Sequence, residues 1–274
     1  MDPGLLRDAL TLLVGVGTGV LSAAFGVGGA VVSTPALRAL GLPALLAVGT
    51  TLPSIFPSAV SSTARYVRER LVDWRVVRWT APLGMASSVG GARLAPEVPG
   101  EGHLLMILTA LLLGFTAARM ARTPVAEAAP AETPDRSARV SGSETPENPH
   151  SSQRPTVLVA IGVVAGALSG LLGVGGGIVM VPGFTEIARI PLKTAIATSL
   201  ACVALFAIPG TITHALQDGI DWRFALVLAI GVVPGARIGA AATIRATDTR
   251  LRVAVATFLG AVAAVYLVGE LLAL

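Results

Sequence analysis

The chain contains one hydrophobic unit twice. The segment Gly26–Ala30 (GVGGA) followed by Pro35 corresponds to Gly173–Gly177 (GVGGG) followed by Pro182. From Pro43 and Pro191 onward, a constant offset of 148 residues aligns Ala47–Leu52 with Ala195–Leu200 and Asp73–Arg75 with Asp221–Arg223. Two copies of one apolar unit, each interrupted by a glycine-rich break, are typical of secondary transporters built from repeats.

The composition places the chain in a lipid bilayer. Hydrophobic residues make up 53% of the 274 residues and charged residues only 13%, which is too little polar surface for a soluble particle of this size. The net charge of +4 does not indicate nucleic-acid binding, because the basic residues are scattered between apolar segments and aromatic residues are too few to stack on bases. The sequence therefore predicts a multi-pass membrane protein.

Each half contains four apolar segments. These are Ala9–Leu40, Pro43–Ala64, Trp74–Ala95 and Leu104–Arg119, and then Thr156–Ile187, Leu192–Leu216, Trp222–Ile244 and Leu251–Leu272. The second, third and fourth segments of each half are long enough for one crossing of about 20 residues. The first segment of each half is longer and is split by its glycines into two arms of about 13 to 16 residues, each short for a full crossing.

A polar stretch separates the two halves. Ala121–Arg154 is rich in Pro, Ser, Thr, Glu and Ala, and it contains almost no large apolar residue after Val125. Such a composition cannot bury a core and predicts a disordered cytoplasmic linker. The predicted domains are a first transmembrane repeat at residues 1–120, the linker at 121–155 and a second transmembrane repeat at 156–274.

The positions of the arginines predict the topology. The loop Arg65–Arg78 is rich in arginine and is expected inside, whereas the equivalent loop His214–Arg223 has one arginine and two aspartates and is expected outside. Both assignments hold if each glycine-broken segment enters and leaves on one face. The predicted fold is an all-α polytopic membrane protein with two inverted repeats, each a re-entrant helical hairpin plus three transmembrane helices. An alternative in which Ala9–Phe25 crosses a thin bilayer stays open.

The glycine breaks are the first candidate binding site. Backbone that is not helical is tolerated inside a bilayer only where protein buries it or where it lines a watery cavity. At the start of the second arm, backbone amides and the helix dipole together favour an anion. The candidate residues are Gly26, Gly28 and Gly29 in the first repeat and Gly173, Gly175, Gly176 and Gly177 in the second. The alternative is that these glycines only allow close helix packing.

Hydroxyl groups and one arginine complete the candidate site. Thr50, Thr51, Thr198 and Ser199 lie early in the second segment of each half, where they could donate to substrate oxygens, or instead bond to the carbonyl one turn earlier. Arg237 is the one basic residue well inside a predicted span. It is a candidate counter-charge for an anion, although a long side chain at this depth could also reach the headgroups.

Other chemistry has little support in the sequence. Cys202 is the single cysteine and lies in an apolar segment, and His103 and His214 lack Cys or acidic neighbours at metal-ligand spacing. Gly-x-Gly-Gly here lacks the strand and the lysine of a phosphate-binding loop. We therefore expect no metal, no cofactor, no nucleic acid and no enzymatic activity.

The ordered motifs resemble the TauE/SafE family of membrane permeases. The resemblance rests on the doubled glycine motif followed by proline, on Ala-x-x-Thr-[Thr/Ser]-Leu, and on Gly-Ala-Arg-[Leu/Ile] at Gly91–Leu94 and Gly235–Ile238, and it covers both halves. It implies a transporter of small sulfur-containing anions, such as sulfite, sulfoacetate or related sulfonates, in the bacterial cytoplasmic membrane. Another small organic anion, or a non-transporting membrane assembly protein, is the alternative. The sequence leaves open whether two chains form a homodimer.

Overall fold

The computed structural model describes residues 3–98, 103–122 and 154–271, and every regular element in these ranges is a helix, as predicted. The first repeat contains α1 (Pro3–Phe25), α2 (Ala30–Ala39), α3 (Ala44–Arg68), α4 (Trp74–Leu94), a 3-10 turn (Ala95–Glu97) and α5 (His103–Arg122). The second contains α6 (Pro155–Leu172), α7 (Gly177–Pro182), a π-helical turn (Gly183–Ile187), α8 (Leu192–Leu216), α9 (Trp222–Arg245) and α10 (Asp248–Leu271). Most of the predicted linker, residues 123–153, lies outside the described residues.

Six of the described helices are long and apolar enough to cross a membrane, namely α1, α3, α6, α8, α9 and α10. The sequence also predicts six spans, but its set contains α4 and α5 in place of α1 and α6. Helix α4 has 21 residues but carries Arg75 and Arg78 in its first turns. Because α4 packs against both α6 and α8, it does not need an apolar surface on every side.

The two arms of each hairpin differ in length, which corrects the prediction of two similar arms. Helix α1 has 23 residues and α6 has 18, whereas α2 has 10 and α7 has 6 before its π-helical turn of 5. The Arg7 guanidinium at the start of α1 donates to the carbonyl oxygen of Leu40, just after α2. In the second repeat, Gly183 packs against Ile161 near the start of α6. Each hairpin therefore turns back toward the end at which it began, which is consistent with the predicted re-entrant arrangement.

The π-helical turn explains a change of register between the two copies. The glycine motifs are 147 residues apart, whereas the segments that begin at Pro43 and Pro191 are 148 apart. The second repeat therefore has one residue more between its two prolines, and the wider turn at Gly183–Ile187 accommodates that residue. Single π-helical turns inside helices are often found at functional sites.

Each first arm packs along the third span of the other repeat. Gly15 and Gly19 of α1 lie against α9, where a Cβ on Gly15 would be 3.1 Å from the Cα of Gly231 and a Cβ on Gly19 would be 2.8 Å from the amide of Ala236. The equivalent crossing brings Gly162, Gly166 and Gly170 of α6 against Thr80, Gly84 and Ser88 of α4. Small residues at these crossings let the backbones approach closely, which is how helices associate in a membrane.

Contacts along the spans are consistent with inversion of the repeats. Helix α3 runs parallel to α9, because Thr50 bonds to Asp221 near the start of both helices and Ser61 bonds to Val233 further along. Helix α8 runs parallel to α4 in the same way, through Thr198 with Asp73 and Phe206 with Ser88. Since α3 and α4 are consecutive spans joined by a short loop, α4 and its counterpart α9 run in opposite directions, which is the relation that inverted repeats require.

Candidate functional site

Left-handed backbone breaks the helix in each repeat. Gly26 and Gly28 have φ angles of 71° and 78°, and their counterparts Gly173 and Gly175 have φ angles of 67° and 81°. Residues with a Cβ rarely adopt this conformation, so glycine is needed at these positions. The helices therefore do not continue through the glycines, in agreement with the predicted breaks.

The two glycine loops lie in direct contact with each other. A Cβ on Gly28 would be 2.8 Å from the carbonyl oxygen of Val174 and 3.3 Å from the Cα of Gly175, and a Cβ on Gly177 would collide with the carbonyl oxygen of Gly26. All residues of both loops are buried. The glycines thus do allow close packing, which is the alternative considered for them. Whether an anion could also bind here depends on the hydrogen-bond donors of the loops.

The loops carry backbone donors that have no partner within the described part of the chain. The amides of Gly28, Gly29 and Ala30 donate to no acceptor there, and neither do those of Gly175, Gly176 and Gly177. The first amides of a helix always lack an intrahelical partner, and the amide ends of helices favour negative charge. Buried donors of this kind normally find a partner, so their clustering at two touching loops is a feature that a bound anion would satisfy.

Two serines beside the loops also lack partners in the described part of the chain. Ser22 is 3% exposed and Ser169 is fully buried, and neither hydroxyl oxygen has a hydrogen-bond partner among the described residues. Their own carbonyl oxygens accept from the amides of Gly26 at 2.9 Å and Gly173 at 3.0 Å. A Cβ on Gly29 would lie 4.0 Å from the Ser22 hydroxyl oxygen. The sequence analysis missed both serines, although they lie at equivalent positions 147 residues apart.

Thr50 and Thr198 connect the two repeats. The Thr50 hydroxyl oxygen accepts from the amide of Asp221 at 2.9 Å, and the Thr198 hydroxyl oxygen accepts from the amide of Asp73 at 3.0 Å. Each aspartate caps the first turn of the third span of its own repeat through its side chain. These two threonines therefore hold the start of the opposite repeat's third span, and neither hydroxyl donates to an acceptor among the described residues.

Thr51 and Ser199 bond to nearby backbone carbonyls. The Thr51 hydroxyl donates to the carbonyl oxygen of Val48 at 2.8 Å, and the Ser199 hydroxyl lies 2.9 Å from the carbonyl oxygens of both Ile196 and Gly26. The first two contacts are the local back-bonding considered as the alternative for these residues. The third ties the start of α8 to the first glycine loop.

The structure does not bring Arg237 to the glycine loops. Its side chain lies on the exposed face of α9, next to Ile238, which is 58% exposed, whereas the opposite face, with Gly235 and Gly239, packs on α1.

No group of three or more His, Cys, Asp or Glu residues in the described ranges could hold a metal ion. Two apolar pockets, of about 340 and 580 Å³, lie between α5 and α6 and between α1 and α10, and no loop glycine lines them.

Comparison with known proteins gives a consistent result. Residues 11–266 match the family model described as sulfite exporter TauE/SafE. The chain is 28% identical over 247 residues to the probable membrane transporter protein YunE of Bacillus subtilis, covering 85% of this chain and 87% of that protein. It is 26% identical over 271 residues to the probable membrane transporter protein MJ0441 of Methanocaldococcus jannaschii, covering 93% and 94% respectively. No solved structure matches the chain.

Proposed function

Because the chain belongs to the sulfite exporter TauE/SafE family and is a multi-pass membrane transporter rather than an enzyme, we propose that its substrate is a small sulfur-containing anion. Sulfite and organosulfonates are the chemical class that we infer. The chain would carry them across the bacterial cytoplasmic membrane, with the linker and most basic loops on the cytoplasmic side.

The observation that supports this proposal is the meeting of two buried glycine loops, in each of which three amides have no acceptor among the described residues. Sulfite and sulfonates present three oxygens that share a negative charge, so several amides can bind one anion at once. Neutral donors hold the anion without the cost of burying a lysine or arginine in the membrane. Both loops are buried, so we propose that the helices around them separate to admit the anion from one side at a time.

Hydroxyl groups complete the proposed site. Ser22 and Ser169 each lie one turn before a glycine loop, and each has a buried hydroxyl without a partner in the ranges that the structure describes. Thr50 and Thr198 accept from the opposite repeat and keep a hydroxyl hydrogen that could be donated when the loops move. This arrangement recognises an oxyanion by its oxygens and not by its sulfur. A small carboxylate is therefore the second candidate substrate.

Flux into liposomes tests the function, and two serine variants test the site. We expect purified chain in liposomes to transport sulfite or sulfoacetate, and Ser22→Ala or Ser169→Ala to bind the anion about tenfold more weakly, because each loses a hydrogen bond to a charged group. If no anion contacts these hydroxyls, removing an unpartnered buried hydroxyl leaves binding unchanged and does not lower the stability.

A matched control is available on α8. Thr211 also has a buried hydroxyl oxygen for which the described residues offer no partner. It lies about two turns beyond Val203, which packs on the loops at Gly28 and Gly175. We expect Thr211→Val to bind the anion as the unaltered chain does. Equal affinity in all the variants would contradict the proposed site, and the absence of flux for every anion tested would contradict the proposed function.

A further inference from the structure

Two equivalent side chains bond to the end of the first arm in each repeat. The Tyr66 hydroxyl, at the end of α3, donates to the carbonyl oxygen of Ala23 at 2.8 Å. His214 Nε2, at the end of α8, lies 3.1 Å from the carbonyl oxygen of Gly170. Tyr66 is fully buried and His214 is 1% exposed. The two side chains are 148 residues apart and the two carbonyls 147 apart, which are the offsets that relate the repeats.

Both carbonyls belong to the last turn of a helix that ends at a glycine loop. In a continuous helix, the carbonyl of Ala23 would accept from the amide of Val27, and that of Gly170 from the amide of Val174. The left-handed glycines turn the chain away, so neither of these bonds forms. A buried carbonyl without a partner is costly. The Tyr66 and His214 donors supply that partner.

The same donors also compete with helix extension. If the carbonyls of Ala23 and Gly170 had no other partner, bonds from the amides of Val27 and Val174 would satisfy them at the lowest cost in free energy. Each first arm would then lengthen into its glycine loop. That change would move the amides of Gly28 and Gly175 out of their present positions. A tyrosine in one repeat and a histidine in the other provide one N–H or O–H donor at the same place, so the shared property is the donor and not the side chain.

We propose that Tyr66 and His214 are positioning residues of the anion site: by occupying the last carbonyls of the first arms, they hold the two glycine loops in the conformation that presents their amides. This proposal rests on the proposed function, since it assigns the means by which the same site is kept in shape. Neither side chain needs to contact the anion.

The test removes each donor and, at His214, restores it with a different one. Tyr66→Phe and His214→Leu lose the donor, whereas His214→Gln keeps an N–H at about the same reach. The probe is sulfite, titrated into purified full chain by calorimetry, with thermal unfolding measured in parallel. We expect the two donor-less variants to bind sulfite about tenfold more weakly, and His214→Gln to bind within about threefold of the unaltered chain.

The matched control is Tyr266→Phe. Tyr266 is also a buried tyrosine, 4% exposed, and its hydroxyl faces the Thr34 side chain on α2 and donates to no backbone carbonyl among the described residues. We expect this variant to bind sulfite normally. A purely structural role for Tyr66 and His214 would lower the unfolding temperature without changing the affinity of the folded protein, and that result would overturn the proposal.

The outcomes separate the two proposals. If the unaltered chain and Tyr266→Phe bind no anion of the sulfite, sulfonate or carboxylate class, the proposed function fails. If both bind sulfite and the donor-less variants bind it equally well, the anion site stands and the positioning role fails. Should Tyr66→Phe not yield folded protein, the comparison of His214→Leu with His214→Gln decides the matter alone.

Discussion

The two glycine loops are nearly identical in sequence but are not equivalent in space. Ala30 of the first loop corresponds to Gly177 of the second. The Ala30 methyl group fits in a fully buried position, whereas a Cβ on Gly177 would collide with the carbonyl oxygen of Gly26. The loops differ in conformation as well, since Gly29 has a φ of −66° and its counterpart Gly176 has a φ of 71°.

This difference marks a place where the two copies are asymmetric. The carbonyl oxygen of Gly26 leaves no room for a Cβ on Gly177, whereas the first loop has room for the Ala30 methyl group at the equivalent position. The one difference between the two motifs, alanine at position 30 and glycine at position 177, therefore reflects this contact.

The asymmetry of the two loops is tested most strongly by exchanging the two residues. We expect Gly177→Ala to destabilise the folded protein by about 3 kcal/mol or more, because the new methyl group would have to displace backbone of the other loop. Ala30→Gly should cost only about 1 kcal/mol, through lost helix propensity and a small buried methyl group. Thermal unfolding of the two variants in one detergent measures the difference.

A control for glycine substitution lies on α1. A Cβ on Gly17 would meet nothing within 4 Å. Gly17→Ala should therefore leave the stability unchanged or raise it slightly, by helix propensity. If Gly177→Ala and Ala30→Gly cost the same, the two loops would be interchangeable and the asymmetry described above would be incorrect.

Much of the fold follows from the sequence, because the relevant signals are local. Runs of apolar residues predict helices in a membrane, and paired glycines followed by proline predict the break at Gly26 and Gly173. The unequal arms did not follow, since the ends of α1 and α2 depend on contacts such as that of Arg7 with Leu40. The close contact between α1 and α9 likewise joins residues far apart in the chain.

The candidate site could be predicted only in part. The glycines were identified because they repeat, whereas Ser22 and Ser169 were missed because serine is common in apolar helices and only the structure shows that these hydroxyls lack partners. The relation of Tyr66 to His214 was hidden for a different reason. A tyrosine and a histidine do not resemble each other in an alignment, although both supply one donor at the end of a helix.

The symmetric part of the molecule can be tested at the two threonines. Thr50→Val and Thr198→Val each remove the oxygen that accepts from an aspartate amide of the other repeat. We expect each change to cost about 1 kcal/mol of unfolding free energy, because a partly buried amide loses its acceptor. The costs should be similar and should add in the double variant, since the two bonds share no residue.

Unequal losses of unfolding free energy in the two threonine variants would show that the two repeats differ at this contact as well. If Thr198→Val were nearly neutral while Thr50→Val cost the full amount, only one of the two contacts would be important for stability. Thr63→Val is a suitable control, because the Thr63 hydroxyl oxygen on α3 is buried and bonds to none of the described residues. That variant is expected to be neutral or slightly stabilising.

The smallest expected effect concerns Arg237. The offset of 148 residues, which also relates the helix contacts of the two repeats, pairs Arg237 with Val89, and the arginine of the first Gly-Ala-Arg motif, Arg93, lies one turn beyond that position. The sequence predicts Arg237 as a counter-charge for the anion, and the structure places it on the exposed face of α9, with the packed face of that helix between it and α1. A cation that faces outward can reach the headgroups and interacts only weakly with an anion held at the loops.

Arg237→Val gives both repeats the same residue, and we expect it to change the sulfite affinity by less than about twofold. The loss of a charge partner that bonds to the anion would instead weaken binding about tenfold or more. A large loss of affinity with unchanged unfolding temperature would show that Arg237 turns inward during transport, and would make the second repeat the one that supplies the charge.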